Sequence, residues 1–442
     1  MPLTHTRNTF PKGFLFGTAT AAYQVEGSSF GGCGPSHWDT FAATPGNVAN
    51  GENGSVACGS YQRVADDLDL LKNGNFDAYR FSVSWPRVLP HGRGAPNAAG
   101  LDYYERLVDG ALERGLKPLA TLYHWDLPAP LSDLGGWRNR DVANWFADYA
   151  DVVLDRVGDR LWGVATINEP WCVSWLSHFL GVHAPGLRDI RAAARAMHFV
   201  LLAHGRAMER MRARGQENLG IVLNHEDIHP ADDSAGAKAA AAREDAIYNR
   251  WFLEGVFTGA YPDEVLAGLG VHMPTGWRDD MDLISQKLDW IGTNYYTRTL
   301  IGAGDGLWPA VAHVEGPLAK TEMGWEIYPE GLTRVLKRVH SYAGGIAQYV
   351  TENGMAAPDR VEDGGVQDDD RIAYIDAHLG AARAAIEAGV PLKGYFTWSL
   401  MDNFEWALGF DKRFGIVRVD FDSLERLPKA SYQALKAALA RS

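Results

Sequence analysis

The chain has 442 residues, of which 46% are hydrophobic and 22% charged, and its formal net charge is −13. This composition is typical of a folded, soluble globular protein, and the distributed acidic charge argues against nucleic acid or an anionic membrane surface as a partner. The first residues lack the apolar core of an export signal, and no apolar run approaches the roughly 18 residues of a membrane span. We therefore expect a cytoplasmic protein that neither inserts into nor binds a membrane. Its three cysteines, Cys33, Cys58 and Cys172, are expected to be free thiols.

Short, β-rich apolar runs alternate with amphipathic helical stretches along the chain. Eight predicted strands begin, in chain order, at Phe14, Asp77, Lys117, Leu161, Leu219, Leu288, Ile346 and Leu392. Helical patterns such as "GLDYYERLVDGALERG" and "NWFADYADVVLDRVGDR" lie between most of them. Eight such units predict an α/β fold in which a parallel sheet closes into a single (β/α)₈ TIM barrel, one catalytic domain over residues 1–442. The stretch 302–325 is predicted to be an irregular loop over the barrel mouth.

Polar and aromatic side chains recur where the predicted strands end. In a parallel barrel, the C-terminal strand ends and the loops after them form the concave face that carries reactive groups. Seven of the eight strands supply candidates there, namely Gln24, Arg80, His124 with Trp125, Asn168 with Glu169, Asn294 with Tyr296, Glu352, and Trp398. The chain also holds 15 tryptophans, several of them beside Asn, His or Glu. Aromatic faces next to polar groups suit a sugar, which has C–H faces and hydroxyl edges.

Two carboxylates are the main catalytic candidates. Glu169 lies in "TINEP" at the end of the fourth predicted strand, and Glu352 lies in "TENG" at the end of the seventh. Two carboxyl groups of different pKa that face each other across a barrel mouth are the apparatus of glycoside hydrolysis, one as acid and the other as nucleophile or base. The alternative is that each is a rim carboxylate in a salt bridge. The sequence motifs around Glu169 and Glu352 favour the catalytic interpretation over the salt-bridge one.

Several motifs together carry a family resemblance. They are "FGTATAAYQVEG", "YRFSVSWPR", "YHWDLP", "TINEPW", "GTNYY", "TENG" and "FTWSLMDNFEWALGFDKRFGIVRVD". With these motifs the chain resembles glycoside hydrolase family one, the β-glucosidases and their relatives, from about Phe10 to nearly the C-terminus. The resemblance implies a (β/α)₈ barrel and a retaining, double-displacement reaction. It makes Glu169 the general acid/base and Glu352 the nucleophile, with their carboxyl groups about 5 Å apart.

The resemblance also implies roles for the surrounding residues. Arg80 and Tyr296 would support the ionised form of Glu352, and Asn168 would hold the 2-hydroxyl of the sugar. The other implied contacts to the glycone, the sugar whose bond is cleaved, are Gln24, His124, Trp125, Asn294, Trp398 as stacking floor, Glu405 and Trp406. The implied residues on the side of the aglycone, the leaving group, are Trp171, Cys172, Leu176 and Trp325. The expected partner is a small saccharide, and neither cofactor nor metal is implied. The oligomeric state is left open.

Two residues narrow the expected substrate class. Relatives that act on 6-phosphorylated sugars generally have a small hydroxyl residue at the position of Glu405, where a carboxylate would repel phosphate. Plant relatives that cleave thioglucosides have Gln where this chain has Glu169. The sequence therefore predicts a β-glucosidase for unphosphorylated O-glycosides such as cellobiose, short oligosaccharides and aryl glucosides. A β-galactosidase or β-fucosidase of the same family is the near alternative.

Alternatives from other classes remain to be weighed. A catalytically silent sugar-binding barrel is disfavoured because both carboxylates are present. A metal-dependent barrel enzyme would use His124, His225 or His229. The segment His225–His229 matches the zinc pattern H-E-x-x-H, but a strand-like run precedes it and Pro230 follows, so we predict a solvated loop rather than the required helix. Ser29 lies in G-x-S-x-G without the helix that a nucleophile elbow needs.

Overall fold

The computed structural model describes residues 1–362 and 364–441. The strands are β1 (Leu15–Ala19), β2 (Ala78–Ser82), β3 (Lys117–Tyr123), β4 (Gly163–Asn168), β5 (Leu219–Pro230), β6 (Trp290–Ala303), β7 (Val311–Val314), β8 (Ala347–Asn353), β9 (Arg360–Glu362), β10 (Gly365–Gln367), β11 (Leu392–Trp398), β12 (Val417–Val419) and β13 (Arg426–Pro428). The α-helices are α1 (Ala22–Val25), α2 (His37–Ala43), α3 (Val64–Asn73), α4 (Trp85–Val88), α5 (Ala98–Glu113), α6 (Ala129–Asp133), α7 (Val142–Val157), α8 (Ile190–Ala213), α9 (Ala235–Asp245), α10 (Trp251–Thr258), α11 (Asp263–Leu269), α12 (Met281–Ile284), α13 (Pro329–Ala343), α14 (Asp369–Glu387) and α15 (Ala430–Ala438). Two π-helical segments span Cys172–Leu180 and Ala246–Arg250.

Eight parallel strands close into a barrel. Their order is β5-β4-β3-β2-β1-β11-β8-β6, and pairing of β5 with β6 completes the ring. Each of the eight predicted runs contains all of one of these strands or, for β5 and β6, its first part, and α5 and α7 overlap the two predicted helical patterns. The predicted (β/α)₈ TIM barrel is confirmed.

Large aromatic side chains fill the barrel interior below the strand ends. Trp290 on β6, Tyr349 on β8 and Phe396 on β11 pack with small and aliphatic residues of the other strands. Gly17 and Gly220 make room for two of them, since a Cβ at either position would lie 2.5 Å from the ring of Phe396 or Trp290. The interior is therefore a packed core, and open space begins only at the C-terminal ends of the strands.

Strands β5 and β6 continue together past the rim of the barrel. They stay paired as far as Pro230 and Ile301, and β7 then pairs with β6 in antiparallel orientation. Two expectations were therefore wrong. The segment His225–His229 belongs to a strand and is not a solvated loop, and the stretch 302–325 contains β7. Backbone pairing with the neighbouring strand, which local sequence does not reveal, decides both cases.

None of the helices in the described part of the chain is both long and apolar enough to cross a membrane. The three cysteines are free, as expected, with Cys58 and Cys172 buried.

Candidate active site

Asn168 is the hub of a hydrogen-bond network at the strand ends. Its Oδ1 accepts from Arg80 Nη2 at 2.6 Å and from Asn294 Nδ2 at 3.1 Å. Its Nδ2 lies 3.1 Å from Nε2 of His124, and its backbone carbonyl accepts from Trp125 Nε1. Strands β2, β4 and β6 and the loop after β3 are thus joined through one amide side chain.

Glu352 lies near the end of strand β8 and has a cation and a hydroxyl group as direct partners. Its Oε1 accepts from Arg80 Nη1 at 2.6 Å, and its Oε2 accepts from the hydroxyl of Tyr296 at 2.7 Å. Burial raises the pKa of Glu352, while the Arg80 charge and both hydrogen bonds oppose this rise. Burial and the nearby carboxylates raise the pKa of Tyr296 well above 10, so its hydroxyl keeps its proton and remains a donor.

Glu169 follows strand β4 and lacks a direct cationic partner among the described residues. Its Oε1 accepts from Asn294 Nδ2 at 2.7 Å, and its Oε2 accepts from the Cys172 thiol at 3.1 Å. Burial, followed by repulsion from Glu352, raises the pKa of Glu169 to about 8. Glu169 therefore holds a proton at neutral pH.

Sheet register brings the two carboxylates to the same region. Asn294 on β6 lies opposite Glu352 on β8, and the Asn294 amide donates to Glu169. Thr351 holds that amide by donating to Asn294 Oδ1 at 2.7 Å. The same asparagine therefore positions the carboxyl group of one strand end next to that of the other.

Three site residues have left-handed backbone conformations. The φ angles are +79° at Trp125, +50° at Glu169 and +52° at Trp406. Such conformations are uncommon for residues with side chains, cost on the order of 1–3 kcal/mol each, and cluster at functional sites. Here they turn two indoles and one carboxyl group into the same space.

His124 is neutral and its tautomer follows from its neighbours. Burial, with a smaller contribution from Arg80, lowers its pKa well below 6.5. Asn168 Oδ1 accepts from Arg80 and Asn294, and these two donors fix the orientation of the amide. Asn168 Nδ2 therefore faces His124 Nε2 and donates to it, so Nε2 is the acceptor nitrogen of the imidazole. The proton is therefore on Nδ1, which has no partner among the described residues and is free to donate to a hydroxyl group.

Aromatic rings and carboxylates enclose a cavity of about 300 Å³ at the strand ends. Of the predicted residues, those that line it are His124, Trp125, Glu169, Trp171, Cys172, Leu176, Asn294, Tyr296, Trp325, Glu352, Trp398, Glu405 and Trp406. Trp406 lies 4.7 Å from Trp125 between ring centroids, and Trp398 stacks on His124 at 5.8 Å. The volume and the aromatic walls suit a small, hydroxyl-rich ligand.

Three predicted residues stand behind these walls rather than in them. Arg80 and Asn168 belong to the network described above, and both are buried. Gln24 donates from Nε2 to Asn403 Oδ1 and to the Phe404 carbonyl, while its Oε1 has no partner in the described chain. Direct contact of Gln24 and Asn168 with a sugar stays a prediction.

Glu405 points an unpaired carboxylate oxygen into the cavity. Its Oε2 has no hydrogen-bond partner among the described residues. Burial and repulsion from Glu352 and Glu169 raise its pKa to about 8. A ligand hydroxyl donating to this oxygen would satisfy a polar group that the protein leaves open.

The outer part of the cavity contains residues that sequence reasoning missed. Tyr248 packs against Trp171 at 4.2 Å between ring centroids, and Glu226 also lines the wall. Tyr248 lies in a π-helical segment and had no local signal, whereas Glu226 was noticed only within the zinc-like motif. Cys172 and Leu176 lie in the other π-helical segment, an irregularity frequent at functional sites.

The competing motifs do not form sites of their own. His225 and His229 lie on strand β5, where four residues span about 13 Å, too far to share one metal ion. The described residues contain no cluster of three or more metal-ligating side chains. Ser29 donates to the carbonyl of Ser55, and the next helix begins only at His37 rather than directly after the serine, as a nucleophile elbow requires.

A closed parallel barrel with two carboxyl groups in one aromatic cavity is the arrangement of a glycoside hydrolase. The family model described as "Glycosyl hydrolase family 1" matches residues 6–441. The chain belongs to glycosyl hydrolase family 1.

Individual relatives agree over nearly the full length. The chain is 47% identical to "Beta-glucosidase A" of Thermotoga maritima over 427 aligned residues, and the alignment covers 96% of each chain. It is 45% identical to the "Bifunctional beta-D-glucosidase/beta-D-fucosidase" of Bifidobacterium breve, again covering 96% of both. Among solved structures, the family 1 β-glucosidase from Thermotoga maritima in complex with isofagomine lactam has a TM-score of 0.95, 45% identity and 98% coverage of both chains.

Proposed function

We propose that the protein is a retaining β-glucosidase that removes terminal, non-reducing β-D-glucosyl residues from cellobiose, short oligosaccharides and aryl glucosides. The observation that carries the proposal is the contrast between the two carboxyl groups of one cavity. Glu352 is held by a guanidinium and a phenol, and Glu169 is buried without a direct cationic partner. The relatives named as β-glucosidases support glucose as the glycone.

In the proposed reaction, Glu352 attacks the anomeric carbon while Glu169 protonates the departing oxygen. Glu169 then takes a proton from water, which releases the sugar from Glu352 with net retention of configuration. Retention requires carboxyl groups about 5 Å apart. The position of Asn294, opposite Glu352 in the sheet and bonded to Glu169, supports such a spacing.

The proposed glycone contacts follow from unpaired polar atoms and ring faces. His124 Nδ1 would donate to a hydroxyl, Glu405 would accept from one, and Trp398 would lie under the ring. Gln24, Asn168, Trp125, Asn294 and Trp406 complete this set. Trp171, Cys172, Leu176 and Trp325 would contact the aglycone. No step of this mechanism requires a cofactor.

Further parts of the proposal concern context. The three free thiols suit a reducing, cytoplasmic location, and the substrate class suits the breakdown of cellulose fragments. We also propose that residues 1–442 act as one catalytic domain, since the barrel strands extend from Leu15 to Trp398.

The test is mass spectrometry after incubation with 2-deoxy-2-fluoro-β-D-glucosyl fluoride, which slows hydrolysis of the glycosyl-enzyme more than its formation. We expect one adduct, mapped to Glu352 and absent from Glu352→Gln. The control is Glu217→Gln, which removes an exposed carboxylate just before the N-terminal end of β5 and should still form the adduct. Turnover of β-glucosides without an adduct, or an adduct elsewhere, would contradict the mechanism. Comparison of kcat/KM for glucoside, galactoside and fucoside then decides the glycone.

A further inference from the structure

A second cavity of about 530 Å³ lies directly outside the reaction cavity. The two share walls formed by Trp171, Tyr248 and Trp325, so an aglycone that leaves the inner cavity enters the outer one. Residues of β6, β7 and the turn between them form the far wall. The outer cavity is therefore positioned to contact the distal part of a substrate.

The cationic side chains of the outer cavity are already neutralised. Arg298 pairs with Glu326 at 2.6 Å, and Lys320 pairs with Glu315. Three wall carboxylates remain, Glu226, Glu244 and Asp305, and none of them has a salt bridge within the described chain. Asp305 is exposed to solvent, which screens its charge, whereas the other two are not.

Glu244 is the most unusual of these carboxylates. It is 4% exposed and lines the cavity, and no described residue donates a hydrogen bond to its side chain. Burial, followed by repulsion from Glu226 and then Asp245, raises its pKa to about 7. Glu226 accepts a hydrogen bond from the Thr299 hydroxyl and is in hydrogen-bonding contact with Tyr248, and burial raises the pKa of Glu226 despite these two neutral partners. A buried carboxylate without a partner is costly, and a ligand that supplies a cation would relieve that cost.

We propose that Glu226 and Glu244 form a subsite for a positively charged group, so that the enzyme prefers β-glycosides whose aglycone ends in a primary ammonium group. The proposal rests on the proposed β-glucosidase function and adds a specificity to it. A neutral hydroxyl group can donate to either carboxylate, but only a cation offsets the negative charge that the two share. An amino sugar or an aminoalkyl chain has the required chemistry.

The test compares ω-aminoalkyl β-D-glucosides with n-alkyl β-D-glucosides of the same length, in a series of increasing chain length. The assay is run about one pH unit above the pKa of Glu244, where alkylammonium groups, like lysine, remain protonated. We expect the ratio of kcat/KM, amine over alkyl, to rise to about tenfold once the chain reaches the outer cavity. Glu244→Gln and Glu226→Gln should each bring this ratio toward one.

The matched control is Asp305→Asn, which removes an exposed carboxylate from the same cavity and should leave the ratio unchanged. A ratio near one at every chain length, or a preference that survives both glutamine variants, would overturn the proposal. Calorimetric binding of the S-linked aminoalkyl and alkyl glucosides gives a readout independent of turnover. If the amine binds more tightly but no glucoside is hydrolysed, the proposed function is contradicted while the proposed subsite is supported.

Discussion

Arg80 contacts Glu352 directly at 2.6 Å, and the second guanidinium nitrogen of Arg80 holds Asn168, the residue next to Glu169. One buried cation therefore stabilises the carboxylate of the proposed nucleophile and orients the segment that carries the proposed acid. Of the two proposed catalytic carboxylates, only Glu352 has a direct ion pair, and this pair opposes the rise in the pKa of Glu352 that burial causes.

The basic limb of the pH profile should report Glu169. Because its pKa is raised to about 8, it is protonated at neutral pH, and kcat/KM for a substrate with a poor leaving group should fall as pH rises past that value. In Glu169→Gln, which has no titrating group at this position, the basic limb should disappear for the same substrate, and kcat/KM should be much lower. A basic limb that persists unchanged in Glu169→Gln would assign it to another group.

Cys172 should tune the acid through its contact with Glu169 Oε2. Asn294 occupies Oε1, so the transferable proton belongs on Oε2, 3.1 Å from the thiol. Cys172→Ser introduces a stronger donor that stabilises the carboxylate, and we expect the basic limb to move to lower pH by up to about one unit. Cys172→Ala should move it the other way. Equal shifts in both variants would show a packing effect instead.

Arg80 should set the acidic limb, which follows ionisation of Glu352. Arg80→Lys keeps a positive charge but loses the planar fork that bonds Glu352 and Asn168 together. The pKa of Glu352 is already raised by burial, and a weaker opposing contact should raise it further. We therefore expect the acidic limb of kcat/KM to move to higher pH, together with a fall of about tenfold or more at the optimum. If the acidic limb of Arg80→Lys is not shifted, Arg80 does not control the ionisation of Glu352.

The stability of the barrel should depend on a second buried ion pair, Arg87 with Glu26. Arg87 Nε lies 2.6 Å from Glu26 Oε2, both side chains are buried, and Tyr104 donates to the same carboxylate. Arg87→Met leaves a buried charge unpaired and should cost about 3–5 kcal/mol, measured by chemical unfolding. Adding Glu26→Gln to Arg87→Met should recover part of this loss.

The control for this pair is Arg114→Met, which breaks an ion pair with the exposed Asp69. We expect this change to alter the free energy of unfolding by no more than about 1 kcal/mol. If Arg87→Met and Arg114→Met lower the free energy of unfolding by similar amounts, the buried ion pair contributes no more to stability than the exposed one.

The amino-acid sequence by itself predicted the barrel, which the structure confirms, and singled out the two carboxylates, whose catalytic roles stay a proposal. Apolar, β-rich runs with helical patterns between them specify parallel strands, and the strand order puts "TINEP" and "TENG" at the same end. These signals are local, since each lies within one run of about ten residues.

The resemblance implied that the two carboxyl groups differ, but only the tertiary structure showed the contacts and burial that make them differ. Arg80 and Glu352 meet across the barrel, and Glu226 and Thr299 meet on paired strands, although the members of each pair are distant in the chain and no local pattern encodes either contact. The same holds for the continuation of β5 beside β6, which turned a predicted loop into a strand, and for Glu244, which has no neighbouring signal in its alanine-rich helix. A side chain's charge state depends on burial and on its neighbours in space, and those are properties of the folded chain.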